Sequence, residues 1–444
     1  MKTFRIGGIH PKDNKLSSKA AITNATLPEV VNIFTAQHIG APANPVVQKG
    51  DVVKVGDLIA EASAFVSANI HAPVSGTVTA VANVKDAGGI AKQAITIKVE
   101  DDLWNENIDR SETVIRECNL TPAEIVAKVK SAGIVGLGGA TFPAHIKLTP
   151  PPDTTAEALV VNAVECEPFL TADHRLMLEK PEQIIVGCQI VMKAVGVKKC
   201  YVGIENNKPD AVEALRKFAT EGIEIVPLKM MYPQGGEKQL IDATMNRQVP
   251  SGKLPIQVGA VVMNLGTIYA TYEAVQKNKP LVERVVTVTG KHLENPQNIL
   301  ARLGTPISQL IDQCGGEGDK TVKVVNGGPM MGRAMATTNA PVTKGTSGVL
   351  LLSAKETVRE KETACISCGK CVTACPMGLE PYLFLQLAKA KMYDRLEKED
   401  LPDCIECGCC TYSCPAALPL LDYIKISRAE TLRIIRERNT PATK

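Results

Sequence analysis

Nine of the fourteen cysteines fall between positions 365 and 414, in two runs. The first is Cys365-Ile-Ser-Cys368-Gly-Lys-Cys371-Val-Thr-Ala-Cys375-Pro376, and the second is Cys404-Ile-Glu-Cys407-Gly-Cys-Cys410-Thr-Tyr-Ser-Cys414-Pro415. Each reads C-x2-C-x2-C-x3-C-P. Thiolates are soft donors suited to iron-sulfur chemistry, and three cysteines two residues apart wrap a short loop around one cubane. The x3 spacing and the following Pro turn the fourth cysteine toward the other cluster. The spacing therefore assigns Cys365, Cys368, Cys371 and Cys414 to one [4Fe-4S] centre, and Cys404, Cys407, Cys410 and Cys375 to a second. Structural zinc would need eight ligands without explaining the repeated register. Cys409 would give x1 and x4 spacings as a ligand and is read as a bystander.

Two clusters relay only single electrons, so a site that feeds them is expected elsewhere. Residues 133–143, Gly133-Ile-Val-Gly136-Leu-Gly138-Gly139-Ala140-Thr-Phe142-Pro143, form a glycine loop with Lys147 close behind. Its glycines let backbone N–H groups approach an anion, and Lys147 adds a charge. It lacks the strand, G-x-G-x-x-G and helix order of a dinucleotide fingerprint, and alone it reads first as an unliganded turn. A buried strand over 158–164, containing Asn162, runs directly into Glu165-Cys-Glu167-Pro168. The two acids alternate faces if the strand continues and converge if it turns at Pro168. They could bond ribose or nicotinamide groups, or be solvated loop carboxylates. Tyr232-Pro-Gln-Gly235-Gly236-Glu237 opens a helix, and a strand over 258–263 ends at Asn264-Leu-Gly-Thr267. Both are places for anion or ring contacts.

The elements that must position these residues follow from the rest of the 444-residue chain. That length implies about three domains. With 45% hydrophobic and 22% charged residues the chain is globular rather than disordered. A net charge of +3 gives no case for nucleic acid as partner. The first residues, MKTFRIGGIHP, lack a secretory apolar region, and no apolar run reaches the ~18 residues of a spanning helix. The chain is expected in the cytoplasm, touching a membrane only through partners, with cysteines serving metals rather than disulfides. Thr121-Pro-Ala-Glu124 is a capping box whose helix ends at Gly133. Strands over 200–205 and 223–228 around a helix over 211–218 predict α/β architecture. The segment 377–403 reads as a helix-rich connection, and 418–438 as a helix with late arginines.

Taken together, GIVGLGGATFPAHIKL, NAVECEP followed by TADHRLM, YPQGGEKQL and VVMNLGTIYATYEAV resemble the flavin-binding core of the 51-kDa subunit of respiratory complex I. With the amino-terminal GGIHP, the stretch QHIGAPANPVVQKGDVVKVGDLIA and the paired cysteine runs, essentially the whole chain resembles the RnfC family of Rnf electron-transport complexes. The resemblance implies FMN against Gly136, Gly138, Gly139 and Ala140, surrounded by Lys147, Asn162, Glu165, Tyr232, Gly235, Glu237, Asn264 and Thr267. Phe142, Lys147 and Glu167 would face NAD(H). Leu137 stands where the complex I loop usually has Arg, so one phosphate contact is missing. The implied architecture is multidomain α/β and α+β. It comprises an N-terminal barrel-sandwich hybrid (1–110), a Rossmann-like FMN/NADH core (111–282), an SLBB-type β-grasp module (283–355) and a helical 2[4Fe-4S] ferredoxin-like domain (356–444).

The resemblance further implies an NAD:ferredoxin oxidoreductase subunit, peripheral on the cytoplasmic face of the inner or plasma membrane. Its partners would be a ferredoxin-type subunit and integral membrane subunits that translocate ions. No side chain need act as nucleophile, because hydride transfer belongs to the flavin. Two other readings stay open: a soluble flavin and iron-sulfur reductase like the cobalamin reductases, and an electron-wire subunit without flavin. Residues 50–59 and 70–78 resemble the halves of a biotinyl or lipoyl domain. The intervening hairpin has no lysine to carry a group, so a structural or docking module is expected. Gly327-Gly328 reads as a turn, Met330 and Met331 as packing residues, and Cys188 and Cys200 as buried cysteines flanking a helix. Cys118 and Cys314 have no ligand-spaced neighbour. Cys166, between two acids, is disfavoured as a thiolate.

Overall fold

The strand Ala158–Asn162 is apolar up to its last residue and loses water on both faces. Leu159 and Val161 pack on one side, with Ile184, Cys188 and Val191 of the helix Pro181–Val195. Val160 packs on the other, with Leu240 and Ile241 of the helix Glu237–Met245. A run buried this way belongs inside a parallel sheet covered by helices. In the computed structural model, which describes residues 1–439, that sheet has four parallel strands in the order Ile223–Leu228, Lys199–Glu205, Ala158–Asn162, Ala260–Asn264. The chain moves outward in one direction for three strands, then crosses back to place Ala260–Asn264 on the free side of Ala158–Asn162. That reversal is a topological switch point.

Local signals set the neighbouring helices. Thr121 and Glu124 form the capping box in both directions at the helix Pro122–Ser131, worth about 1 kcal/mol. Gly133 then leaves with φ +64°. The helix Pro181–Val195 starts on Pro and stops at Gly196, which is left-handed. Cys188 lies inside this helix rather than flanking it, and its thiol bonds that of Cys200 on the adjacent strand.

Two small sheets hold the amino-terminal barrel core of Val31, Ile33, Ile59, Ile70, Val78, Ile95 and Ile97. Residues 1–24 give no strand to either sheet. Instead Ile22–Asn24 pairs with Gln297–Arg302 at the edge of a six-stranded sheet, which also contains Glu283–Thr289, Gly348–Ser353, Thr321–Asn326 and Arg333–Ala334. The lysine-free hairpin between Leu58–Glu61 and Ile70–His71 docks on the α/β core, where Asn69 Nδ2 donates to the Ser131 carbonyl at 3.2 Å.

The carboxy-terminal region is helical, with Pro381–Lys389, Tyr393–Lys398 and Leu420–Asn439 packed around Phe384, Leu396 and Leu420. The doubled cysteine pattern is a doubled backbone. Ser367, Gly369 and Gly378 have positive φ, as do Glu406, Gly408 and Ala417 at the matching places. Each run carries one short helix, Lys370–Thr373 and Cys409–Tyr412.

Candidate redox site

Open α/β sheets bind ligands beyond the carboxyl ends of their strands at the switch point. Here those ends are Asn162 and Asn264, register partners on adjacent strands. Asn162 Nδ2 donates to the Gly235 carbonyl at 2.8 Å, drawing the turn before Glu237–Met245 over the first strand. Asn264 Oδ1 caps the helix Leu265–Gln276 by accepting from Thr267 N at 3.3 Å. Its Nδ2 donates to Asp173 Oδ2 at 2.8 Å.

The glycine loop closes onto the same place. Leu137 N donates to Thr267 Oγ1 at 2.8 Å, and Gly136 N to the Phe142 carbonyl at 2.9 Å. A Cβ on Gly138 would lie 3.2 Å from Asn264 Cβ, so the backbone passes that asparagine closely. Gly138, Gly139 and Ala140 are exposed, and a Cβ at Gly139, with φ +105°, would meet nothing within 4 Å. The rim of the loop is therefore open to a ligand while its base is anchored. Lys147 Nζ donates to Glu237 Oε1 at 2.7 Å and to the Val262 carbonyl at 3.0 Å. Behind the loop lies a cation that sequence reasoning missed. The buried Arg284 guanidinium donates to the Leu137 carbonyl at 3.3 Å and to the Lys344 carbonyl. Burial lowers its pKa to about 10, which leaves it charged at neutral pH.

Glu165 and Glu167 neither alternate along a strand nor converge. The strand ends at Asn162, Glu165 takes φ +49°, and the two carboxylates separate. Glu165 accepts from Asp173 N at 2.8 Å and His174 N at 3.2 Å, at the start of the helix Ala172–Glu179, where a negative charge is favoured. Glu167 accepts from Met331 N at 2.7 Å and Met330 N at 3.1 Å, while burial pushes its carboxyl up. The loop after Gly327-Gly328 is thus tied to the acid segment. Two lysines hold that segment in shape. Lys15 Nζ donates to the carbonyls of Glu165, Glu167 and Leu170 at 2.8, 2.9 and 2.6 Å, and Lys208 Nζ to that of Val164 at 2.8 Å. Nothing in the spacing of Lys15 announces this role, since its three bonds go to carbonyls distant in sequence, whereas Lys208 also meets the nearby side chains of Glu205 and Asn207. Between the acids, burial and then the Glu205 charge push the Cys166 thiol up to about 12, in line with an inert thiol.

Tyr232 is buried, and its hydroxyl donates to the Cys407 carbonyl at 2.9 Å. Its ring thus reaches from the turn that holds Gly235 to the second cysteine run. Cys375, Cys404, Cys407 and Cys410 line one cavity. Its remaining walls include Phe384, Ile405, Leu421 and Ile424. Cys375 therefore sits with the other run's first three cysteines. Burial pushes the Cys404 and Cys410 thiols up to about 12, with Cys375 among the charges felt by Cys404. In the same way burial raises Cys371, whose neighbouring charge is Cys414. Such thiols take up a metal by releasing protons. Cys365 and Cys368 are exposed, whereas Cys375, Cys407 and Cys410 are buried. Cys409 lines the cavity too, its thiol 3.9 Å from the Tyr232 carbonyl.

Comparison with known proteins decides the family. The chain is 46% identical to the C subunit of the proton-translocating ferredoxin:NAD(+) oxidoreductase complex of Clostridium ljungdahlii, over 90% of this chain and 87% of that one. It is 43% identical to the counterpart from the Na(+)-translocating complex of Acetobacterium woodii, over 90% of each. It is 42% identical to the C subunit of the ion-translocating oxidoreductase complex of Rhodobacter capsulatus, over 86% of this chain and 74% of that one. The chain belongs to the RnfC family.

Within it, residues 2–102 match the RnfC barrel sandwich hybrid domain, 129–273 the Nuo51 FMN-binding domain, 285–334 the SLBB domain and 357–415 the 4Fe-4S dicluster domain. Among solved structures, an NAD+-reducing [NiFe]-hydrogenase in its H2-reduced state aligns at 19% identity with a TM-score of 0.49, over 72% of this chain and 68% of that one. The residues present fit the groups these domains hold. A soft thiol set lines an apolar cavity at one site, and a glycine rim opens over strand-end amides at the other. In this RnfC-family chain the glycine loop, Asn162, Gly235, Asn264, Thr267, Lys147 and Glu237 come together, with Glu165 behind them at Asp173. The bonds made by Glu167 and Tyr232 lead elsewhere, to the 330–331 loop and to Cys407.

Proposed function

We propose that the chain is the NADH-handling flavin and iron-sulfur subunit of an Rnf-type complex. It would exchange electrons between NAD and ferredoxin while partner subunits translocate ions. The observation that carries this reading is the continuity of the two sites: Tyr232 belongs to the turn that Asn162 holds through Gly235, and it bonds the backbone of Cys407. FMN, when bound, couples a two-electron hydride exchange to one-electron carriers.

The backbone of Gly136, Gly138, Gly139 and Ala140 would take the flavin's anionic end, with Lys147 and the buried Arg284 supplying positive potential. Asn162, Gly235, Asn264 and Thr267 fix the floor, Glu237 holds Lys147, and Glu165 anchors the helix that carries Asp173. Phe142 and Lys147 lie on the nucleotide side. Glu167 would join them by releasing the amides of Met330 and Met331. Cys404, Cys407, Cys410 and Cys375 would hold the cluster next to this core, and Cys365, Cys368, Cys371 and Cys414 the outer one. The boundaries 1–110, 111–282, 283–355 and 356–444 are our division of the chain, supported by the separate sheets and the helical carboxy-terminal region, with residues 1–24 packed outside the barrel sheets.

Among the described residues no helix is long and apolar enough to cross a membrane. In our reading the protein sits peripherally, on the cytoplasmic face of the inner or plasma membrane, held by integral partners. Anaerobic purification tests the whole reading. About eight irons with matching labile sulfide, acid-released FMN and NADH oxidation with an artificial one-electron acceptor support it. Two zincs, or clusters without flavin or NADH activity, would overturn it. Co-purification with membrane subunits tests the placement.

A further inference from the structure

The amino-terminal Gly7-Gly8-Ile9 has no part in the flavin cradle, yet it lies against the cluster cavity. Residues 2–9 follow the α/β core: Lys229 N donates to the Lys2 carbonyl at 2.9 Å, Phe4 is buried, and Arg5 N donates to Asp242 at 2.9 Å. Gly7 then adopts φ +71°, and a Cβ there would fall 2.3 Å from the carbonyl oxygen of Cys375. Gly8, at φ +92°, donates its N–H to the Ala374 carbonyl at 3.0 Å. Ile9 exchanges two backbone hydrogen bonds with Tyr232, each 2.8 Å. Tyr232 in turn bonds the Cys407 carbonyl, and Gln239 Nε2 donates to the Pro376 carbonyl at 3.1 Å. These bonds grip both loops that line the buried cavity, while Cys365 and Cys368 of the other set are exposed.

We propose that Gly7, Gly8 and Ile9, together with Tyr232, form a clasp that positions the cluster bound by Cys375, Cys404, Cys407 and Cys410 against the flavin core. This inference rests on the redox reading above. Two of the four ligands are fixed through backbone carbonyls at or next to the cysteine. Partners beyond the ligands that orient them commonly change metal affinity ten- to hundredfold when removed. Both glycines hold positive φ, and a side chain on Gly7 would run into the Cys375 carbonyl while one on Gly8 would press on Phe4 and Met231. Tyr232 is thus a positioning residue.

The test uses the full chain, purified anaerobically with its clusters. Gly7→Val drives a side chain into the Cys375 carbonyl, and Tyr232→Phe keeps the ring while removing only the O–H donor. Cys375→Ser identifies which paramagnetic signal belongs to the clasped cluster. Expected for Gly7→Val is that half of the iron leaves to a chelator about ten- to hundredfold faster, while the other half leaves at the wild-type rate and FMN is retained. Tyr232→Phe should accelerate the same half by a smaller factor and alter the same signal in a redox titration. Release at the wild-type rate in both variants overturns the clasp. So does equal acceleration of both halves, which marks general loosening. A wild-type chain that takes up no cluster sinks the redox reading and the clasp with it.

Discussion

Lys15 shows how much of this site depends on single side chains far from it in sequence. Its ammonium is buried, and burial, followed by repulsion from Lys208, lowers its pKa to about 8. Its three bonds all go to carbonyls of the segment that joins the central strand to the helix Ala172–Glu179. Replacing it by Met leaves three acceptors without their donor at about 1–3 kcal/mol each, so Lys15→Met should destabilise the chain by at least about 3 kcal/mol. Chemical unfolding measures this, and a change below about 1 kcal/mol would contradict the assigned role. Asp173 gives a prediction in pH. Burial first, then the Glu165 charge, raises its pKa to about 7, against ~3.9 in an unfolded chain. Below the lower value both states are protonated. As pH rises through the window the unfolded chain ionises first, so this group's contribution to stability is lost between about 4 and 7 and is constant above. Asp173→Asn should therefore gain stability relative to wild type as pH is raised from about 5 to 8. Parallel melting profiles for the two proteins over that range would refute the shift.

At the scale of elements, the parts legible in the sequence are those with a local cause. The capping box at Thr121, the Pro starts, the glycine stops and the strands of the α/β core each follow from neighbours in sequence and stand within a few residues of their expected places. The cysteine spacing carries the cluster loops because the x2-x2-x3-P register is itself a backbone instruction. What cannot be read is the traffic between segments far apart. Ile22–Asn24 adds a strand to a sheet formed by residues 283–353, and its sequence carries no sign of that partner. Arg284 sits in an alternating strand pattern, yet its guanidinium ends behind the glycine loop. The acid pair is legible as chemistry but not as geometry, because its divergence depends on Lys15, Lys208 and the 330–331 loop. The glycine loop itself gives the prediction at this scale. Gly139 holds φ +105° with open space around it, so Gly139→Val strains the backbone without a clash. Strain of this kind costs about 1–3 kcal/mol, which predicts roughly tenfold weaker FMN retention with the iron content unchanged. Equal flavin occupancy after dialysis would show that the loop does not hold the flavin.

The whole molecule is joined at shared cations and at the two cysteine runs. Trp104, next to the barrel, lies between the Arg110 and Arg302 guanidinium groups at 4.7 and 4.5 Å, and Arg302 also bonds Asp102 and Glu283, tying the barrel to the six-stranded sheet. Lys344 does the same from the other side, donating to the carbonyls of Asn69 and Gly133 at 2.8 Å each. Both runs touch the α/β core, yet Cys365 and Cys368 stay at the surface while Cys375 is buried with Cys407 and Cys410, and the crossed ligand sets are our proposal from that arrangement. If each run served its own cluster, Cys375→Ser would damage the exposed centre with Cys365 and Cys368. With Cys375 in the cavity of Cys404, Cys407 and Cys410, the same change should remove the buried centre instead. Cys414→Ser should do the reverse, striking the centre of Cys371. The two centres can be told apart by access, because a chelator or a bulky oxidant reaches the exposed one first. Each single variant should therefore retain about half the iron: the fast-reacting half in Cys375→Ser and the slow-reacting half in Cys414→Ser. The opposite pairing would show that each run closes on itself. It would also place the cysteine beside Gly7 at the outer end of the electron path rather than against the flavin core.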